Sequence, residues 1–244
     1  MILRIICYAM IIIMLTVMDM IGLQHSYIGI ALPQGKSCGG GQQFSKNAMI
    51  RRCGCGVIAA ADVLLYLTRF HSHGAVDYFA GLLADEPIPL PLYDRCIRDL
   101  SRRYFPMIPY AGINGVMLMA GMELFFRRHG MPYNARWCFS PDTLWERIEA
   151  MLGADIPVIM SVGPNFPLIW GNKRVRFYVQ SPAGGYVPAS RAKAHYFTVT
   201  GLDDEWLRIS SWGRCYYMNR REFAEYVKRS STTITSNILL IERK

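Results

Sequence analysis

The apolar positions along the chain change rhythm about two thirds of the way through. Between residues 55 and 70, Val57, Ala61, Leu64, Leu65 and Leu67 recur at helical spacing, and the mixture of Ala and Leu predicts a core helix. His71, Ser72, His73 and Gly74 end it. Residues 92–104 read as an amphipathic helix with Arg95, Arg98, Arg102 and Arg103 on its polar side. Residues 112–129 form another, with Gly130 in the post-helix position. Ser140-Pro141-Asp142 supplies an N-cap, a first-turn proline and an acid for a helix that runs to Leu152 and is closed by Gly153. Strand patterns follow at 157–162 and 175–180, with 196–200 and 206–212 as hairpin partners. A short helix over 221–227 and a strand over 238–242 complete the chain. Helices first and antiparallel strands later predict an α+β fold, its helical and sheet halves facing each other across a cleft.

One long uninterrupted apolar run exists, the 14 residues 5–18, set between Arg4 and Asp19. It is short of the about 20 residues a spanning helix needs. Residues 1–23 therefore read as an anchor, a secretion signal, or upstream sequence before an internal start at Met18 or Met20. Each reading separates them from a body over 24–244, and membrane association through residues 1–23 is one consequence. Localisation stays open between cytoplasmic, membrane-associated and secreted. A polytopic membrane protein is excluded, and 21 Gly and 13 Pro in 244 residues exclude collagen-like or wholly disordered structure.

Lys and Arg outnumber Asp and Glu by 27 to 18, for a net charge of +9. The excess is dispersed in pairs such as Arg51-Arg52, Arg102-Arg103 and Lys228-Arg229, a solvated surface rather than the single stripe of a nucleic-acid binder. Seven cysteines, an odd number in a long chain, fit a reduced compartment better than a disulfide scaffold. Cys7, Cys96 and Cys138 read as buried thiols. Cys53-Gly54-Cys55, even with Cys38, His71 and His73, lacks the two spaced knuckles of a structural zinc site. No metal and no cofactor are expected.

Cys55 opens the core helix, where the positive end of the dipole lowers a thiol pKa and favours the thiolate. Gly56 beside it would leave room for a substrate backbone. His195, at the start of a late strand, follows 140 residues later. A Cys–His pair performs acyl transfer: the imidazole takes the thiol proton, the sulfur attacks a carbonyl, and the imidazolium protonates the leaving group. Taken singly, each residue has a bland reading, as a small buried thiol and a satisfied core histidine. Cys53, outside the helix start, is the weaker nucleophile, and His71 and His73 read as exposed helix-end residues.

Four stretches together resemble papain-fold cysteine peptidases, in particular the bacterial C39-like branch. Gly54-Cys55-Gly56 with its Ala-rich helix is similar to that branch's nucleophile helix. Residues 153–162 resemble the strand before the His half, and His195-Tyr-Phe-Thr-Val-Thr-Gly201 the His strand. Ser211-Trp212-Gly213 is similar to the papain Ser-Trp-Gly, whose Trp covers the hydrogen bond that orients the His. The resemblance spans most of the chain and implies a papain-like fold. It implies that Cys55 is the nucleophile, His195 the base and then acid, and a glutamine before the nucleophile an oxyanion donor. Gln43 is the first choice for that donor, Gln42 the second and Asn47 the third, with the Cys55 backbone N–H as partner donor.

The family places Asn or Asp where this chain offers Ser210 or Ser211. Motif alignment selects Ser210. Strand alternation selects Ser211, because a hairpin that pairs Thr200 with Trp206 sets Ser211 opposite His195. A hydroxyl orients an imidazole but stabilises its charge less than a carboxylate does. Three functions follow: a cysteine peptidase or related thiol acyl hydrolase acting on peptide or amide bonds, an inactive papain-fold binding protein, and an acyltransferase. Lys173, Arg174 and Arg176 would favour acidic substrates, and residues 186–193 read as a rim loop that sets specificity.

Overall fold

The computed structural model describes residues 20–71, 77–140 and 142–244. Cys7, His73, Pro141 and the first 19 residues of the N-terminal segment lie outside the described residues.

The core helix forms where its pattern predicts it. A short helix α1 (Ala48–Cys53) leads into α2 (Cys55–His71), in which every residue from Gly56 to Thr68 is buried. Asn47, third choice as oxyanion donor, instead caps α1: its Oδ1 accepts from the N–H groups of Met49 and Ile50. Gly54 joins the two helices by donating its N–H to the Ile50 carbonyl and accepting from Ile58 N–H. A Cβ at Gly54 would lie 2.5 Å from the Ile50 oxygen, so the chain can turn from one helix straight into the next only with glycine there.

Helix α3 (Leu90–Arg103) and helix α4 (Gly115–Arg128) both touch α2, and Gly130 follows α4 with φ +63°. Helix α5 (Leu144–Gly153) starts later than predicted, with Thr143 rather than Ser140 at its N-cap.

The sheet half is larger than the pattern suggests. Nine described strands form one antiparallel sheet, in the order β5 (Tyr133–Trp137), β12 (Ile238–Arg243), β6 (Val158–Val162), β9 (His195–Leu202), β10 (Trp206–Ser211), β11 (Arg214–Asn219), β7 (Val175–Gln180) and β8 (Tyr186–Ala192). The ninth, β1 (Ile21–Gly22), pairs with the far end of β9 through Ile21↔Leu202. Residues 21–23 thus belong to the folded body, three residues ahead of the boundary expected at 24. Strand β8 occupies the segment expected to be a rim loop. A small second sheet joins β2 (Ile30–Leu32) to β3 (Gly35–Lys36) and β4 (Ile88–Pro89), and helix α6 (Arg220–Ser230) precedes β12. Among the described residues the fold is α+β, with six α-helices and a large antiparallel sheet.

Helix α2 packs against β9, which is buried along nearly its whole length and hydrogen-bonded on both sides. The predicted hairpin of β9 and β10 forms, but its register is shifted by two residues: Ser210 pairs with Thr198 rather than Tyr196, beyond a bulge at Arg208/Ile209. A two-residue slip leaves every side chain on its expected face, because strand side chains alternate with period two.

Candidate active site

The start of α2 meets the start of β9, so that Cys55, His195 and Tyr196 line one cavity. Gly56 permits this approach. A Cβ there would fall 2.4 Å from Ile113 Cγ2 and 3.3 Å from the Tyr196 ring, so the space expected for a substrate backbone is filled by the protein's own packing. Burial pushes the Cys55 thiol above its ordinary pKa, and the N–H groups of Tyr196, Gly56 and Cys55 offset only part of that effect. The helix start therefore does not deliver a thiolate at rest: desolvation outweighs the backbone dipoles.

His195 is buried, and its Nε2 lies 2.8 Å from Ser211 Oγ. The Trp212 indole stacks on the imidazole with ring centroids 4.3 Å apart and planes 17° from parallel. Ser210 faces away from the ring: its hydroxyl donates to the Cys38 carbonyl. Of the two serines, Ser211 is the one brought to the histidine. Burial drives the His195 pKa down to about 3, so thiol and imidazole are both neutral at rest.

The glycine run before α1 is a close-approach loop. A Cβ on Gly39 would meet Ser210 Oγ at 2.2 Å, and one on Gly40 would meet the Tyr93 hydroxyl at 1.8 Å. The loop is tied to the turn after β10 by Gly213 N–H to the Gly40 carbonyl and Cys38 N–H to the Gly213 carbonyl. This placement separates the two glutamines. Gln43 donates its amide to the Trp212 carbonyl at 2.7 Å, on the exposed side of the turn. Gln42 lines the cavity shared by Cys55 and His195. Its Nε2 gives one hydrogen to the Arg51 carbonyl at 2.9 Å, and its buried Oε1 has no protein partner among the described residues.

Beneath Cys55 on α2 sits Asp62, which sequence reasoning missed. It accepts from Tyr93 Oη and Gly40 N–H, each at 2.7 Å, and burial lifts its pKa to about 7. A lone acid inside an apolar helix was the available signal.

From Cys55 and His195 a cleft of about 920 Å³ opens outward. Its walls carry Ile108, Tyr110, Val116, Phe139 and Ile234, all substantially exposed. Arg52, Arg174, Arg191 and Lys193 also line it, with no Asp or Glu. Among the described residues none of these four cations forms an ion pair with a carboxylate. Of the three cations expected to favour acidic substrates, only Arg174 lines the cleft, and Arg176 is paired with Glu222.

The remaining candidates have other surroundings. His71 is not a free helix end: its Nε2 meets Asp155 Oδ2 at 3.0 Å and its Nδ1 the Tyr133 hydroxyl at 3.1 Å. Cys53 donates to the Met49 carbonyl, and Cys96 and Cys138 are buried as expected. Cys215 is exposed, and a hydrogen bond from Cys38 pulls its thiol down to about 7. Among the described residues no three His, Cys, Asp or Glu side chains converge as a metal site.

No protein-family model matches the chain, no curated protein matches it and no solved structure matches it. The reading of the site therefore rests on its own geometry.

Proposed function

We propose that the protein is a thiol acyl hydrolase of papain-like fold, resembling the C39-like cysteine peptidases, that cleaves peptide or amide bonds through Cys55 and His195. The observation that carries this reading is the ordered histidine. Its Nε2 meets Ser211 Oγ under the Trp212 ring, and Cys55 lines the same cavity.

In this reading His195 donates Nε2–H to Ser211 and uses Nδ1 as the base. Both reacting groups start neutral, so proton transfer accompanies attack rather than preceding it. The Cys55 proton moves to Nδ1 as sulfur bonds to the substrate carbonyl carbon. The resulting oxyanion is held by Cys55 N–H and the remaining N–H of the Gln42 amide, in place of Gln43. The imidazolium then protonates the leaving amine as the C–N bond breaks, and water releases the acid from the thioester. The cleft's cations and apolar walls suit a substrate with a carboxylate beside aliphatic or aromatic side chains.

A second reading, a catalytically silent binding protein, is favoured by Ser211 itself. A neutral hydroxyl gives the imidazolium little of the stabilisation that a carboxylate gives.

Mass spectrometry of peptides alternating leucine with glutamate, incubated with the protein, with Cys55→Ala and with His195→Ala, separates the two. The hydrolase reading expects cleavage by the parent chain alone. Saturable binding with no cleavage selects the binding protein, and cleavage that survives Cys55→Ala removes the site assignment.

A further inference from the structure

Four large apolar side chains stand in water within five residues: Phe166 and Leu168 are each 56% exposed, Ile169 71% and Trp170 77%. Scattered apolar residues need no explanation, but a contiguous group marks an interaction surface. The loop that carries them is firmly held at its base. Buried Asn165 donates to the Lys173 carbonyl at 3.0 Å and the Tyr226 hydroxyl at 3.1 Å, and accepts from Lys173 N–H at 3.1 Å. Phe166 N–H donates to the Ser230 carbonyl, Gly171 N–H to the Leu168 carbonyl, and Lys193 Nζ to the Gly171 carbonyl. The four side chains do not line the cleft, although Pro164 and Arg174 on either side of them do. The fold thus holds an apolar tip outward beside the mouth of the site.

The chemistry around the tip narrows the choice of partner. Residues 163–174 contain no Asp or Glu, and Lys173 and Arg174 follow the tip after Gly171 and Asn172. Arg191 and Lys193 lie on the neighbouring cleft wall. An indole at an apolar tip with cations at its base matches the depth profile of a bilayer interface, with apolar groups in the acyl boundary, indole at headgroup level and ammonium or guanidinium on lipid phosphates. In its reading as an anchor, the apolar run at residues 5–18 would be a second, separate membrane contact. Stable peripheral binding takes two such signals.

We propose that loop 166–170 docks the protein on an anionic membrane, its apolar side chains inserted and Lys173 and Arg174 on the headgroups. The cleft then opens at the lipid surface. This holds whether or not Cys55 is catalytic.

The test is co-sedimentation of the full chain with vesicles of phosphatidylcholine alone and of phosphatidylcholine mixed with phosphatidylglycerol. Binding is expected on the anionic vesicles and is expected to weaken with salt. The Ile169→Asp/Trp170→Asp variant should lower partitioning at least about tenfold. Lys173→Gln/Arg174→Gln should lower it on anionic vesicles by about fivefold for each charge removed. Val187→Asp, which places the same new charge at another exposed apolar residue, should change it little. All three keep buried residues intact, and unchanged thermal melts verify that each variant is folded. Loop variants that partition like the parent overturn the proposal, because residues 5–18 would then account for all binding. Equal affinity for neutral and anionic vesicles overturns it as well, and so does no binding to either.

Discussion

His195 and Ser211 meet through a 2.8 Å contact between Nε2 and Oγ, although they are not directly opposed in the hairpin. Pairing of Ser210 with Thr198 makes Ser211 a diagonal neighbour of the histidine on the same face. Ser211→Ala leaves a buried imidazole nitrogen unpaired and should cost about 1–3 kcal/mol in urea unfolding. Ser211→Asp should move the His195 titration upward from about 3, because a neighbouring anion favours the imidazolium. Histidine NMR across the acid range reads it, and an unmoved resonance would show that residue 211 does not set the charge of the ring.

Thiol reactivity should not follow the pattern of a preformed ion pair. Cys215, exposed and lowered to about 7, should react with iodoacetamide first. In a Cys215→Ser background, alkylation of Cys55 should keep rising with pH past the ordinary thiol range, since burial raises its pKa. A rate that plateaus between about pH 4 and 6, as in ion-paired cysteines, contradicts the neutral resting pair.

The two glutamines should differ sharply. In the proposed hydrolase, Gln42→Ala should slow cleavage about a hundredfold with little change in KM, the expected cost of losing one oxyanion donor. Gln43→Ala removes an exposed bond to the Trp212 carbonyl and should slow it far less. Equal effects would favour Gln43 as the donor.

Asp62 gives the protein an unusual pH dependence. Between pH about 4 and 7 the native carboxyl keeps a proton that the unfolded chain releases, so its contribution to stability falls as pH rises, then stays level. The linkage amounts to about 4 kcal/mol. His195 acts in the opposite sense: from pH 6.5 down to about 3 the unfolded chain gains a proton the native ring refuses, so stability falls as pH drops. Comparing Asp62→Asn with the parent isolates the first effect, since any fixed cost of the amide cancels. The variant should gain on the parent between pH 4 and 8 in urea denaturation, and a constant difference would rule out the raised carboxyl.

Gly56 should be intolerant of a methyl group. Gly56→Ala pushes a Cβ to 2.4 Å from Ile113 and should cost about 1–3 kcal/mol through overpacking, read as a lower urea midpoint. An unchanged midpoint would mean that Ile113 moves aside freely.

The sequence made α2 legible because its periodicity is strong, and it made the late hairpin legible because alternation marks its faces. The faces survived the two-residue error in register, which is why Ser211 could be chosen over Ser210. Strands β5, β8 and β11 were missed: Arg and Asn interrupt β5, β8 is largely exposed, and β11 follows a turn only two residues long. Spacing could not decide between Gln42 and Gln43, since one residue around a tight turn sends neighbouring side chains in different directions. The raised thiol pKa was illegible for another reason. A helix start is a local feature, whereas the burial that outweighs it comes from residues far away in the chain.

The ties between the glycine loop and the turn after β10 also bear on when the site comes into being. Gln43 and the Trp212 carbonyl stand 169 residues apart, and Ser210 and the Cys38 carbonyl 172. A chain emerging from the ribosome therefore exposes Cys55 long before His195, Ser211 and the turn that fixes the loop have been made. Until β10 and β11 insert between β9 and β7, the loop has nothing to be tied to and the cavity lined by Cys55 and His195 is incomplete. The cavity therefore closes late, with contacts of long sequence separation rather than with the helix that carries the thiol.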